Sequence, residues 1–154
     1  MADSEIRMEK VRIGDILVKE GIITEGQLQK ALIYQKHSGY KEHLGSILVR
    51  LGYVDDVALS RVFARQSGYL FIENLQKEIV HTGALRIIPE RLARQHDCMP
   101  LQVRGNTLRV AMANPYDLLA IEDLKLVSNC SLDIVVATKN QIVSMIRKYY
   151  SSSR

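Results

Sequence analysis

The sequence predicts an α+β fold, with a helical tandem repeat followed by a small mixed α/β subdomain. Residues 12–35 and 43–66 align without a gap at an offset of 31 residues, and seven of the 24 aligned positions are identical. After residue 69, short apolar runs separated by turn residues are typical of strands between helices. We therefore place a tandem helix-turn-helix subdomain at residues 10–68 and an α/β subdomain at residues 69–150.

The composition is that of an ordinary globular protein. Of the 154 residues, 47% are hydrophobic and 25% are charged, close to the average for such domains. No apolar stretch reaches the roughly 18 residues that a membrane span needs, and the N-terminus lacks the apolar core of a signal peptide. The isolated Cys98 and Cys130 are typical of reduced thiols. We therefore expect a cytoplasmic protein without direct membrane insertion.

The charge distribution argues against nucleic acid as a partner. The net charge is +4, and no run of Lys or Arg is longer than two residues. Binding to DNA or RNA draws much of its affinity from a basic stripe that neutralises phosphates. Since the sequence has no such stripe, we expect neither DNA nor RNA as a partner.

Each repeat predicts a short helix, a turn and a second helix. In the first repeat, residues 13–20 are amphipathic, and Gly21 stands where a left-handed C-terminal cap is needed. Thr24 then caps the second helix, with Gln27 completing a capping box. The positions that share one face of this helix are Leu28, Ala31, Leu32 and Gln35.

The second repeat follows the same plan. Gly52 ends its short helix and Asp55 caps the next one. The corresponding face is formed by Leu59, Val62, Phe63 and Gln66.

Two pairs of repeated residues need a specific explanation. Gln35 and Gln66 end apolar stripes, and a buried glutamine needs a hydrogen-bond partner; we expect a backbone group across the repeat. Gly14 and Gly45 stand near helix starts. A Gly that lies in a helix interior destabilises the helix by about 1 kcal/mol relative to Ala. They indicate a close approach, either to another helix or to a ligand, and the residues alone leave both open.

The second half alternates strands and helices. Arg104-Gly105-Asn106 is a hairpin signal, Pro115-Tyr116-Asp117 opens a helix, and Thr138 caps the last one. The predicted elements are a strand or helix exit at 69–72, a helix at 82–95, strands at 99–103 and 107–113, a helix at 117–128, a strand at 132–137 and a helix at 139–149.

The repeated pattern also carries a family resemblance. It reads Arg or His, Ile or Leu, then Gly-x-x-Leu-x-x-x-Gly, and after six residues Leu-x-x-x-Leu/Phe-x-x-Gln. With the later segment Val110-Ala111-Met112-Ala113-Asn114-Pro115-Tyr116-Asp117, it resembles the MshEN-type domain, the N-terminal domain of type II secretion and type IV pilus assembly ATPases. The resemblance covers roughly residues 10–150.

The resemblance implies a non-catalytic regulatory module and a ligand. The family includes members that bind cyclic di-GMP, whose two guanines and two phosphates are related by a pseudo-twofold axis, so each repeat would contact one half. The implied ligand-binding residues are Arg12, Ile13, Gly14, Asp15, Leu28, Leu32 and Gln35 in the first repeat, His43, Leu44, Gly45, Ser46, Leu59, Phe63 and Gln66 in the second, and Asn114.

Four positions depart from the family pattern. His43 stands where Arg is favoured, and Phe63 replaces a Leu. Ser46 and Asn114 stand where binding members tend to carry Asp, so their hydrogen bonds to guanine would be neutral and weaker than charge-assisted ones. The first repeat is intact, whereas the second is degraded.

An alternative function is docking without nucleotide. By the same resemblance, the module would tether an ATPase core to its inner-membrane platform protein. The degraded second repeat favours docking, whereas the intact first repeat and the paired glycines favour ligand binding.

No pattern indicates catalysis, a cofactor or a metal. The sequence contains no Gly-x-x-x-x-Gly-Lys-Ser/Thr phosphate loop. His96, Asp97 and Cys98 are adjacent, and neighbouring residues do not face one site in regular structure. The four histidines and two cysteines lack the clustered spacing of metal ligands.

We expect the purified chain to release no phosphate from ATP above a buffer blank, because it lacks a loop to hold the phosphates. A malachite-green assay of phosphate release tests this. Release that scales with protein concentration and survives a further purification step would contradict the prediction.

Overall fold

The computed structural model describes residues 13–152, and of Ser152 only the backbone. Within this range the predicted α+β class is confirmed, since helices are followed by a mixed four-stranded sheet with further helices. The chain divides into two compact units between Val62 and Phe63. The predicted boundary at residues 68 and 69 stays a prediction.

The first part of the chain repeats one helix-turn-helix motif. Glu25 and Asp56, the first residues of the two longer helices, keep the 31-residue offset of the sequence. The four helices are α1 (residues 13–19), α2 (Glu25–His37), α3 (Leu44–Arg50) and α4 (Asp56–Ser67). The division between the two units falls within α4.

The turn after each short helix depends on a left-handed glycine. Gly21 has φ 74° and Gly52 has φ 77°, a region that L side chains avoid. In both turns the next N–H donates back to a leucine carbonyl, from Ile22 to Leu17 at 3.0 Å and from Tyr53 to Leu48 at 2.9 Å. The same hydrogen bond therefore closes both turns, as the repeat predicts.

The predicted caps of α2 and α4 are confirmed. Thr24 Oγ1 accepts from Gln27 N at 3.1 Å, and Gln27 Oε1 accepts from Thr24 N at 2.9 Å, which completes the capping box. Asp55 Oδ2 accepts from Ala58 N at 3.2 Å. Each cap satisfies backbone donors that a helix start otherwise leaves without an intrahelical partner.

The sheet belongs to the second unit and has the order β1-β4-β3-β2. β4 pairs in parallel with both β1 and β3, whereas β2 and β3 form an antiparallel hairpin. Gly105, with φ 58°, lies in the tight turn of this hairpin. The strands are β1, Leu70–Phe71, β2, Cys98–Arg104, β3, Thr107–Met112, and β4, Ser131–Val136.

The single helix predicted at residues 82–95 is wrong. The structure has two short helices, α5, Thr82–Ile87, and α6, Glu90–Gln95. Ile88 between them is extended, with φ −104° and ψ 110°, because a residue before proline is sterically pushed out of the helical region. Pro89 therefore acts as the N-cap residue of α6 rather than lying inside a longer helix.

The remaining helices are α7, Leu118–Ser128, and α8, Lys139–Ser152, and a 3₁₀ turn spans Leu75–Lys77. Thr138 Oγ1 accepts from Gln141 N at 3.2 Å, so the predicted cap of α8 is confirmed. Near the end of α8, the Tyr150 hydroxyl donates to the Ile88 carbonyl at 2.6 Å. This bond satisfies a carbonyl at the break between α5 and α6.

The core of the second unit lies between the sheet and its helices. Met99, Leu108 and Ile142, from β2, β3 and α8, are fully buried in one cluster. No helix among residues 13–152 is both long and apolar enough to cross a membrane.

We expect Gly21→Ala to lower the free energy of unfolding by about 1–2 kcal/mol, the cost of a left-handed conformation for a residue with a Cβ. Urea unfolding followed by circular dichroism measures this. Gly26→Ala in α2 is the matched control: its Cβ would lie 3.8 Å from the nearest atom, Thr24 Oγ1. The control should stabilise the helix slightly, and equal losses in both variants would contradict the role of the turn.

Candidate ligand site

The start of the first motif is fixed by a close contact between helices. Ile13 and Gly14 lie at the start of α1 and are both buried. A Cβ built on Gly14 would lie 2.9 Å from Leu28 Cδ1 of α2, closer than real Cβ contacts allow. The close approach indicated by Gly14 is therefore met by a helix in this structure.

Gln35, at the end of the first motif, has the backbone partner that the sequence predicts. Its side chain is 4% exposed, and Nε2 donates to the Glu42 carbonyl at 3.2 Å. Its own carbonyl accepts from Ser38 Oγ at 2.8 Å and from Tyr40 N at 2.9 Å. Gln35 therefore fixes the segment that leads into the second motif.

The second motif begins at the N-terminus of α3. His43 is the N-cap residue, and its side chain makes no capping hydrogen bond. Leu44 is buried, whereas Gly45 and Ser46 are half-buried. The His43 backbone carbonyl accepts the first helical bond from Ile47 N at 3.1 Å, a contact that does not depend on the side chain at position 43.

An ion pair beside this motif was not predicted from the sequence. Arg50 Nη2 lies 2.8 Å from Glu42 Oε1, and the Arg50 guanidinium lies 5.8 Å from the centre of the Tyr34 ring. The hydrogen bond from Arg50 to Glu42 raises the pKa of Arg50. The sequence gives no signal for this pair, because it forms across the turn into α3.

In the second unit, Phe63 and Asn114 both contact Tyr116. The Phe63 and Tyr116 rings meet edge to face, with centroids 5.8 Å apart and planes at 81°. Asn114 Oδ1 accepts from Tyr116 N at 2.9 Å. Tyr116 lies in the quoted Asn-Pro-Tyr-Asp segment, which was the available signal, yet it was not among the predicted site residues.

The predicted ligand-binding residues differ widely in exposure. Arg12 lies outside the described residues. Those that are buried are Ile13, Gly14, Leu28, Gln35, Leu44, Leu59 and Phe63. Those that are half-buried are Leu32, His43, Gly45, Ser46 and Asn114, and those that are exposed are Asp15 and Gln66.

These exposures separate two roles within the motifs. The buried site residues are mostly apolar and pack in the protein interior. The more exposed site residues include Asp15, His43, Ser46, Gln66 and Asn114. These side chains offer the carboxylate, imidazole, hydroxyl and amide groups that hydrogen-bond to bases and phosphates. Gln66 is exposed although Gln35 is buried, so the two repeats are not equivalent at their ends.

The adjacent His96, Asp97 and Cys98 do not form a nucleophilic cluster. His96 Nε2 lies 2.9 Å from Asp123 Oδ2 of α7. Cys98 is fully buried, and this burial raises the pKa of its thiol to about 12, so the thiol stays protonated at neutral pH. Among residues 13–152, no three His, Cys, Asp or Glu side chains are grouped to hold a metal ion.

Comparison with known proteins assigns the family. The sequence matches the MshEN domain over residues 67–154, more than half of the chain. The chain belongs to the MshEN domain family. The resemblance seen in the sequence is therefore confirmed.

Three known proteins are similar to this MshEN domain. The type IV pilus assembly ATPase PilB of Myxococcus xanthus is 31% identical over 140 residues, which are 91% of this chain and 24% of that protein. The solved structure of MshE with cdg is 35% identical, with a TM-score of 0.69 over 90% of this chain and 98% of that one. The N-terminal domain of XpsE, 22% identical, shares the fold with a TM-score of 0.77 over 92% of this chain and 95% of that one.

We expect Gly14→Ala to destabilise this MshEN domain by about 1–3 kcal/mol, the usual cost of overpacking, because the added Cβ collides with Leu28. Chemical denaturation of Gly14→Ala, Leu28→Ala and the double variant measures it. In the double variant the two losses should be less than additive by at least about 0.5 kcal/mol.

Gly83→Ala in α5 is the matched control, since nothing lies within 4 Å of its Cβ position. Full additivity of the Gly14 and Leu28 variants would show that the contact does not constrain residue 14.

Proposed function

We propose that this MshEN domain binds cyclic di-GMP and thereby regulates a secretion or pilus ATPase in the cytoplasm, without a catalytic step of its own. The observation that carries the proposal is the 35% identity with MshE, a protein solved with cdg, which we read as cyclic di-GMP. The PilB relative supports the connection to an ATPase.

The tandem repeat supports a two-fold ligand. Both copies keep the 31-residue offset, the left-handed glycine and the carbonyl-closing turn. A ligand made of two like halves can therefore meet two like sets of groups. We assign one guanine and one phosphate to each repeat, with the half-buried Leu32 as an apolar contact to a base.

Asn114 would contact guanine differently from an aspartate. Its Oδ1 already accepts from Tyr116 N at 2.9 Å, an orientation that places the Nδ2 group on the other side of the amide. An amide nitrogen donates, so Asn114 would bond the O6 or N7 acceptors of guanine, which a carboxylate does not, while the second lone pair of its Oδ1 can still accept from a guanine N–H. This exchange keeps a polar contact while losing the charge-assisted bond of a carboxylate.

Docking without nucleotide is a second candidate, favoured by the burial of the motif. Ile13, Leu44 and Leu59 are 4–6% exposed, so these apolar positions of the motif already serve packing within the protein. On this alternative, the repeats serve as a rigid scaffold that tethers an ATPase core to its inner-membrane platform protein.

Titration calorimetry with cyclic di-GMP, compared with GTP and cyclic di-AMP, tests the proposal. We expect heat only with cyclic di-GMP. Arg12→Ala should weaken binding by roughly ten- to a hundredfold, the value of a bidentate guanine contact, and His43→Ala should cost less. His43→Arg should tighten binding, because a guanidinium restores the two-donor fork that imidazole lacks.

Arg86→Ala is the control for Arg12→Ala, since Arg86 is an exposed arginine of α5 outside both motifs. Circular dichroism must show each variant folded. Equal losses from Arg12→Ala and His43→Ala would contradict the asymmetry between the repeats. Absence of cyclic di-GMP binding by the unmodified chain would reject the ligand and leave docking as the function.

A further inference from the structure

The outer face of α2 is exposed and partly apolar. We use this name for Lys30, Ile33, Tyr34 and His37, which lie at spacings of three and four residues and so share one side of the helix. Ile33 is 56% exposed and Tyr34 is 51% exposed. The buried side of α2, with Leu28, Ala31 and Gln35, points the opposite way, so the outer face is distinct from the predicted ligand-binding positions of this helix.

Tyr40, three residues after the last residue of α2, is a further exposed aromatic side chain. It is 57% exposed and has φ 61°, a left-handed conformation that is unusual for a bulky residue. The hydrogen bond from Tyr40 N to the Gln35 carbonyl, at 2.9 Å, holds it there. A large side chain is thus presented to solvent from a backbone that is fixed in advance, which lowers the entropic cost of using it in binding.

The charge of the region has one sign. Residues 26–41 contain three lysines, Lys30, Lys36 and Lys41, and no aspartate or glutamate. The next acidic residue, Glu42, is paired with Arg50 at 2.8 Å, and Arg50 in turn lies over Tyr34. Lys36 lies in the last turn of α2, where a cation stabilises the helix, so its presence has a structural explanation. Lys30 lies in the middle of the helix, where a cation does not have this stabilising effect.

We propose that the outer face of α2, together with Tyr40, docks an acidic segment of a partner protein. Lysine ammonium and tyrosine hydroxyl groups both donate to carboxylates, while Ile33 and the Tyr rings offer apolar area. Within the helix, the outer face from Lys30 to His37 is about 10 Å long at 1.5 Å per residue, which matches about three extended residues. The proposal goes beyond cyclic di-GMP binding and does not depend on it.

The composition of the surface favours a protein over a bilayer. Helices that lie on membranes use a broad aliphatic face, whereas the outer face of α2 has Ile33 as its aliphatic member. Tyrosine is enriched at protein interfaces and among their strongest contacts. An acidic segment also complements the lysines, which steers the approach of the partner.

Fluorescence anisotropy with a labelled peptide of alternating glutamate and leucine tests the proposal on the full chain. We expect binding that weakens with added salt and falls at least about tenfold in Lys30→Glu and in Tyr40→Asn, the loss expected of an interface anchor. Asparagine tolerates the left-handed backbone of residue 40, so Tyr40→Asn removes the ring while keeping the turn.

Lys125→Glu and Tyr69→Asn are the matched controls, since both residues are exposed and lie in the second unit; both should bind the peptide normally. The proposal is overturned if the controls lose as much, or if a lysine-leucine peptide binds equally well. It is also overturned if Lys30→Glu and Tyr40→Asn leave peptide binding unchanged but weaken binding to phosphatidylglycerol vesicles, or weaken self-association measured by sedimentation. Calorimetry with cyclic di-GMP on the same variants measures the proposed function separately, because a loss of peptide binding and a loss of cyclic di-GMP binding are independent results.

Discussion

Several helices of this fold are too short to persist without tertiary packing. α3 has seven residues, and α5 and α6 have six each, whereas isolated helices below about 12–15 residues are marginal in water. Their stability must come from burying one face against a neighbour. Leu17 and Leu48, at equivalent positions of the repeat, are fully buried, and their carbonyls also close the glycine turns. Within the repeat, the packing of the short helices α1 and α3 and the reversal of the chain after each of them therefore depend on the same two residues.

The parts of the fold that sequence predicts well are those decided locally. The glycine turns and the caps at Thr24, Asp55 and Thr138 depend on hydrogen bonds within a few residues, so the residue types carry the information, and the 31-residue offset repeats the same local pattern. The helix expected at 82–95 failed because proline at a helix start and proline that breaks a helix look alike in a sequence. Here Pro89 excludes Ile88 from the helical region, and Tyr150, from a distant segment, satisfies the Ile88 carbonyl at the break.

The candidate site was less predictable because one motif serves two purposes. Gly14 is accounted for by Leu28, and Gln35 by the Glu42 carbonyl, so both residues would be needed with or without a ligand. The identity of the Gln35 partner depends on the turn through Tyr40, which no residue pattern specifies. Tyr116 was missed since its contact with Phe63 joins positions far apart in the chain. A matching motif therefore predicts the packing of the helices more directly than it predicts a bound ligand.

The order of the sheet has a consequence for synthesis on the ribosome. Leu70 of β1 pairs with Val135 of β4, which follows β2 and β3 in the sequence, and β4 also lies between β1 and β3 in the sheet. Pairings between distant segments form slowly, because a long loop must close first. The helical repeat is made of contacts between neighbouring segments and can form as it emerges, whereas β1 must wait until β4 has been translated. An exposed, apolar β1 would be the segment in need of protection during that interval.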